Sequence, residues 1–111
     1  MEAVVNGQTI KLSEAGWLEN LDEWSEDLAV EIAKNEQIPE LTEEHWDIIK
    51  EARNYFTENG TVIEPRKFSK LMKEKFGADR SSQQYIYSLF PTGLIKCANK
   101  VAGLPRPKGC S

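Results

Sequence analysis

Thr42-Glu43-Glu44-His45-Trp46-Asp47-Ile48-Ile49-Lys50-Glu51-Ala52-Arg53-Asn54-Tyr55-Phe56-Thr57-Glu58-Asn59-Gly60 decides the fold class. Trp46, Ile49, Ala52, Tyr55 and Phe56 recur at helical spacing and line one face. Thr42 is a good cap, and Glu43 and Glu44 follow in the first turn, where carboxylates suit the positive end of the helix dipole. Gly60 is a stop, because glycine takes the left-handed conformation that ends helices. This is the longest periodic segment of the chain, and it predicts an amphipathic helix.

Reading toward the N-terminus, Ser25 caps another helix, with Glu26 and Asp27 behind it and an apolar stripe at Leu28, Ala29, Ile32 and Ala33. Pro39 lies beyond its end. The stretch from Gly16 to Trp24 is irregular, with Trp17, Leu18, Leu21 and Trp24 as core anchors. Before it, Val4 to Leu12 predicts a β-hairpin turning at Asn6-Gly7, a pair that tolerates the two positive φ angles of a type I′ turn. A lone hairpin is marginal in water and must pack on helices.

Reading toward the C-terminus, Pro65 opens a third helix with Phe68, Leu71, Met72 and Phe76 inward, ended by Gly77. Ser81 or Ser82 caps a fourth, with Tyr85, Ile86, Leu89 and Phe90 inward. Pro91 interrupts the chain, Thr92 caps a fifth helix running to about Ala102, and Gly103 ends it. The expected fold is mainly α: a small five-helix domain with an N-terminal β-hairpin. Residues 1–103 form the platform, and residues 104–111 form a flexible C-terminal arm.

With 111 residues, 40% apolar and 29% charged, the chain fits one ordinary globular domain. No apolar run approaches the ~20 residues of a membrane span. Without a basic-then-apolar leader, the expectation is a cytoplasmic protein. The net charge of −4 is unevenly spread: residues 1–64 hold four basic and sixteen acidic residues, residues 65–111 ten basic and two acidic. That pattern fits either ordinary solvated faces or a dipolar molecule whose basic side meets an anionic partner.

The arm reads Leu104-Pro105-Arg106-Pro107-Lys108-Gly109-Cys110-Ser111. Two prolines and a glycine bar it from helix, and its one leucine can bury little. Its penultimate residue is a cysteine that such a tail cannot hide. The nucleophilic form of Cys110 is the thiolate; Arg106 and Lys108 favour it, and the Ser111 carboxylate opposes it. A thiolate on a tether can take the outer sulfur of a persulfide and pass it on, which is thiol exchange with one extra atom. Eight residues span up to ~26 Å, and Gly109 lets a partner's site close around the thiol.

Other candidates are weaker. Cys97 sits on one flank of the apolar arc of the last helix and Asn99 on the other; Cys97 reads either as a packed, half-buried thiol or as a second thiol met when the arm folds back. His45, the sole histidine, has no cysteine or second histidine near it in sequence, so no metal site is expected. No nucleophile–base pairing or Gly-rich phosphate loop supports a self-contained enzyme. Arg66, Lys67, Lys70, Lys73, Lys75 and Arg80 surround a helix, a turn at Gly77-Ala78-Asp79 and a second helix, in the manner of a helix-turn-helix. The second helix is too apolar for a base reader, so direct nucleic-acid binding is the minor alternative, behind a solvated basic face or a docking face for an acidic partner.

Three blocks resemble the DsrC/TusE family of sulfur carriers: Leu41-Thr42-Glu43-Glu44-His45-Trp46-Asp47-Ile48-Ile49, Tyr85-Ile86-Tyr87-Ser88-Leu89-Phe90-Pro91, and Lys100 through Ser111. Arg66 and Lys70 fall where that family has an arginine and a lysine in its third helix. The resemblance implies a helical domain with an N-terminal hairpin and a mobile arm, and a persulfide carried on Cys110. It implies no metal or organic cofactor, and donor and acceptor proteins of a Tus- or Dsr-type relay as partners. The product reads as a carrier, a sulfurtransferase if classed, rather than a self-contained enzyme. DsrC-type members have a second arm cysteine eleven residues before the last and work with dissimilatory sulfite reductase through an intramolecular trisulfide. TusE-type members lack it and hand sulfur to the tRNA 2-thiouridine machinery. Here that position is Asn99, and Cys97 lies two residues earlier, so the single-cysteine TusE-like role is expected and the sulfite-reductase role is the alternative. Arg66, Lys70, Arg106 and Lys108 are the candidates for stabilising the sulfur anion or docking a partner.

Overall fold

In the computed structural model, which describes residues 2–93 and 97–105, Asn6 and Gly7 both take left-handed angles, φ 52° and 80°. They join β1 (Glu2–Val5) to β2 (Gln8–Lys11), antiparallel, with Val5 opposite Gln8 and Ala3 opposite Ile10. The period-2 alternation puts Ala3, Val5 and Ile10 inward and leaves Val4 62% exposed. A bridge between Leu12 and Leu18 and a 3₁₀ turn at Leu21–Glu23 carry the chain to the first helix.

Helix α1 (Glu26–Asn35) starts where expected, with the Ser25 side chain accepting the Leu28 N–H at 3.1 Å. It buries Leu28, Ala29, Ile32 and Ala33, and the hairpin packs on it. It ends in a Schellman motif whose left-handed position is Gln37, φ 65°, with the Ile38 N–H bonded to the Ala33 carbonyl at 2.8 Å. Helix α2 (Glu43–Asn59) stops at Gly60, φ 72°. Its buried face is His45, Ile48, Ile49 and Ala52, while Trp46, Tyr55 and Phe56 are only half-buried. The apolar arc is wide, and packing selects its Ile48 edge as the centre.

Helix α3 (Pro65–Phe76) buries Phe68 and Met72. After a 3₁₀ turn at Ala78–Arg80, α4 (Gln83–Leu89) is capped by Ser82, whose hydroxyl accepts the Tyr85 N–H at 3.1 Å. The last described helix, α5 (Asn99–Val101), follows a wider π-type turn at Cys97 and Ala98. The path from the expected cap at Thr92 to α5 crosses residues 94–96, which lie outside the described residues. Every residue from Cys97 to Leu104 is buried. Segment 97–104 is therefore the centre of the molecule, with α1 and α2 against it. An element surrounded on all sides has no solvent face for its polar residues. Lys100 answers this with an ion pair to Glu36 at 3.2 Å and a place over the Trp17 ring.

Candidate functional site

The arm leaves from the end of α5, and that end is fully engaged. The last four carbonyls of a helix have no partner within it. Here all four find one. The Leu104 N–H reaches Asn99 at 3.0 Å and the Gly103 N–H reaches Lys100 at 3.1 Å, a second Schellman motif. The Trp24 indole N–H donates to the Val101 carbonyl at 3.0 Å, and Arg53 Nη1 donates to the Ala102 carbonyl at 2.6 Å. The Arg53 guanidinium also lies 3.8 Å from the centroid of the Trp24 ring, a cation–π stack. Gly103 is required twice over: its φ is +70°, and a Cβ built there would lie 2.1 Å from Trp24 Cδ1.

Leu104 is 2% exposed. The sequence counted it with the arm, but its N–H closes the helix and its side chain joins the core, so the packed platform reaches one residue further than 103. Beyond the half-buried Pro105, the residues Arg106, Lys108 and Cys110 lie outside the described residues.

Cys97 is fully buried rather than half-buried, and so is Asn99. The sequence put them on opposite flanks of one face, but segment 97–104 is enclosed on every side, so both flanks are interior. Burial pushes the Cys97 thiol up from its usual range, and a hydrogen bond with the Thr92 side chain opposes that only in part. Among the described residues, neither the amide nitrogen nor the oxygen of the Asn99 side chain has a hydrogen-bond partner.

A second junction brings together two of the sequence blocks singled out above. His45, 7% exposed, accepts the Thr42 N–H at Nδ1 (3.0 Å), and its Nε2 lies 2.9 Å from the Leu89 carbonyl, so Nε2 carries the proton. Its ring meets Phe90 edge-on, centroids 5.2 Å apart. Beside it, Tyr85 Oη donates to Glu44 at 2.9 Å, and Arg80 pairs with Asp47 at 3.0 Å. Both ring nitrogens are thus engaged, Nδ1 in capping the first turn of α2 and Nε2 in joining α2 to α4, a structural role. Among the described residues no group of three or more potential ligands could hold a metal ion.

Arg66 and Lys70 are exposed on α3 and make no ion pair among the described residues. Among the described elements, α5 packs chiefly on α1 and α2. The helix-turn-helix reading loses weight at α4, whose seven residues include no lysine or arginine. No described helix is long and apolar enough to cross a membrane.

Sequence reasoning missed Trp24 and Arg53 as the pair that holds the root of the arm. A signal existed for Arg53, which stands four residues after Ile49 and three before Phe56, on the apolar face of α2. A charged residue at a core-facing phase calls for a buried partner.

The DsrC like protein family model matches residues 4–111. The sulfurtransferase TusE of Salmonella typhimurium is 41% identical over 107 residues, 96% of this chain and 97% of that protein. Among solved structures, the oxidized gamma-subunit of the dissimilatory sulfite reductase (DsrC) from Archaeoglobus fulgidus superposes with a TM-score of 0.90 at 41% identity. DsrC of Allochromatium vinosum does so with a TM-score of 0.85 at 38% identity. Each of these superpositions covers 100% of both chains.

Proposed function

This chain belongs to the DsrC-like family, and from that premise we propose that it is a sulfur-relay carrier with Cys110 as its persulfide site. The supporting observation is a family match that runs through residue 111 and so takes in the cysteine-bearing arm. The Cys110 thiolate attacks the outer sulfur of a donor persulfide. The donor's S–S bond breaks, the donor leaves as a thiolate, and Cys110 holds the sulfane sulfur as Cys–S–S⁻. An acceptor thiolate repeats the exchange in reverse sense. Atoms and electrons balance without a metal or organic cofactor.

Arg106 and Lys108 flank the anion in sequence, and Arg66 and Lys70 offer an exposed basic face for a partner. The partners are sulfur-donor and sulfur-acceptor proteins, of the kind that feed tRNA 2-thiouridine synthesis in the cytoplasm. Asn99, standing where the sulfite-reductase branch has its second arm thiol, supports the single-thiol reading. Cys97, buried and pushed toward the neutral thiol, is a poor second thiol. The likeness to the sulfite reductase subunit of Archaeoglobus fulgidus keeps one alternative, a sulfite-reductase partner.

The test is intact mass after incubation with a persulfide donor. Wild type and Cys97→Ala are expected to gain one sulfur atom, about 32 Da, and Cys110→Ala none. No adduct on any of the three would sink the carrier. A bridge from Cys97 to Cys110 found by peptide mapping would favour the sulfite-reductase alternative.

A further inference from the structure

We infer that Trp24 and Arg53 are positioning residues that fix the point and direction at which the Cys110 arm leaves the platform; this rests on the carrier reading above. The argument starts from the carbonyls of α5. Two of the four are met locally, by Gly103 and Leu104. The other two are met by side chains from 77 and 49 residues away in sequence. Water or a lysine in the last turn satisfies such carbonyls in most helices, so a tryptophan and an arginine from two different elements are more than the helix needs.

The two side chains are also fixed to each other. Arg53 stacks on Trp24 at 3.8 Å, and Trp24 lies so close to Gly103 that no Cβ fits between them. A pocket of about 390 Å³ opens beside Arg53, lined by Asp22, Thr57, Gly103 and Leu104 among others. Among the described residues, the contacts that fix the guanidinium are the Trp24 ring and the Ala102 carbonyl. Pro105 follows at once with a fixed φ. The chain thus departs from a defined anchor, and the six residues from Leu104 to Cys110 reach up to ~20 Å. A fixed anchor gives the thiol's reach a defined origin and lowers the ordering entropy of docking it in a partner's pocket.

The experiment uses the full chain with nitroxides on Cys110 and on an exposed cysteine introduced on α1, Lys34→Cys, and reads the distance distribution between them. Arg53→Met keeps the aliphatic stem and loses the guanidinium; Trp24→Phe keeps the stack and loses the indole N–H. Circular dichroism at the measuring temperature confirms that each variant is folded. The expected distribution is about twofold wider in both variants, because the anchor itself then moves. Unchanged widths overturn the proposal.

Sulfur uptake is measured on the same variants without labels, from inorganic polysulfide and from thiosulfate-charged rhodanese. Arg53→Met is expected to slow uptake from the protein donor about tenfold and to leave uptake from polysulfide unchanged, with partial recovery in Arg53→Lys. Equal slowing with both donors, or none with either, overturns the positioning role. If wild type takes sulfur from neither donor, the carrier reading fails, while the distance widths still decide whether the arm is anchored.

Discussion

Asn99 is the residue whose surroundings least suit its chemistry. A buried amide with neither end hydrogen-bonded among the described residues carries a desolvation penalty of roughly 1–3 kcal/mol. Its backbone does useful work, since its carbonyl accepts the Leu104 N–H. Only the side chain is misplaced. Asn99→Leu keeps the branching and removes the orphaned groups, so it is expected to raise the unfolding free energy by about 1 kcal/mol or more. Urea denaturation at constant m-value checks this. A loss of stability would mean that the amide is bonded in solution after all.

At the scale of elements, α4 and the 3₁₀ turn before it are held to α2 by polar groups as well as by apolar packing. Tyr85 reaches Glu44, Arg80 reaches Asp47, and His45 reaches the Leu89 carbonyl. Burial, with the Glu44 hydrogen bond second, pushes the Tyr85 phenol up to about 12. The folded-state value is raised above the usual ~10, so the protonated phenol stabilises this junction fully below pH ~10. That contribution is lost as pH rises through about 12. An absorbance titration of phenolate is expected to show one tyrosine ionising near 12, absent in Tyr85→Phe. A titration in which all the tyrosines ionise near 10 would remove the hydrogen bond from the account. This junction also marks what sequence could show. The caps at Ser25 and Ser82, the turn at Asn6-Gly7 and the stop at Gly60 follow local rules, and the chain obeys them. The meeting of His45 with Leu89 depends on packing between helices 44 residues apart, which no local rule encodes.

For the molecule as a whole, the decisive fact is that segment 97–104 is central. Helical phase alone gave Cys97 and Asn99 opposite flanks and assigned Leu104 to the arm, because phase describes one helix against one surface. Contacts from α1, α2, Trp17 and Trp24 meet it on different sides, so both flanks are interior. Composition and resemblance singled out Cys110, which lies outside the described residues, whereas the bonds of Trp24 and Arg53 to the end of α5 were visible only once distant parts of the chain came together. If the platform is complete at Leu104, a chain ending at Pro105 is expected to melt within about 4 °C of full length, and one ending at Gly103 to lose ~2 kcal/mol with the buried leucine. Equal melting of the two truncated chains would return Leu104 to the arm. The bonds of Trp24 and Arg53 to neighbouring carbonyls have a mechanical consequence too. If a partner draws on Cys110, the pull would load both bonds, one held by Trp24 before α1 and the other by Arg53 on α2. On the carrier reading, these two bonds are the contacts that would resist unravelling of the helix end under such a pull.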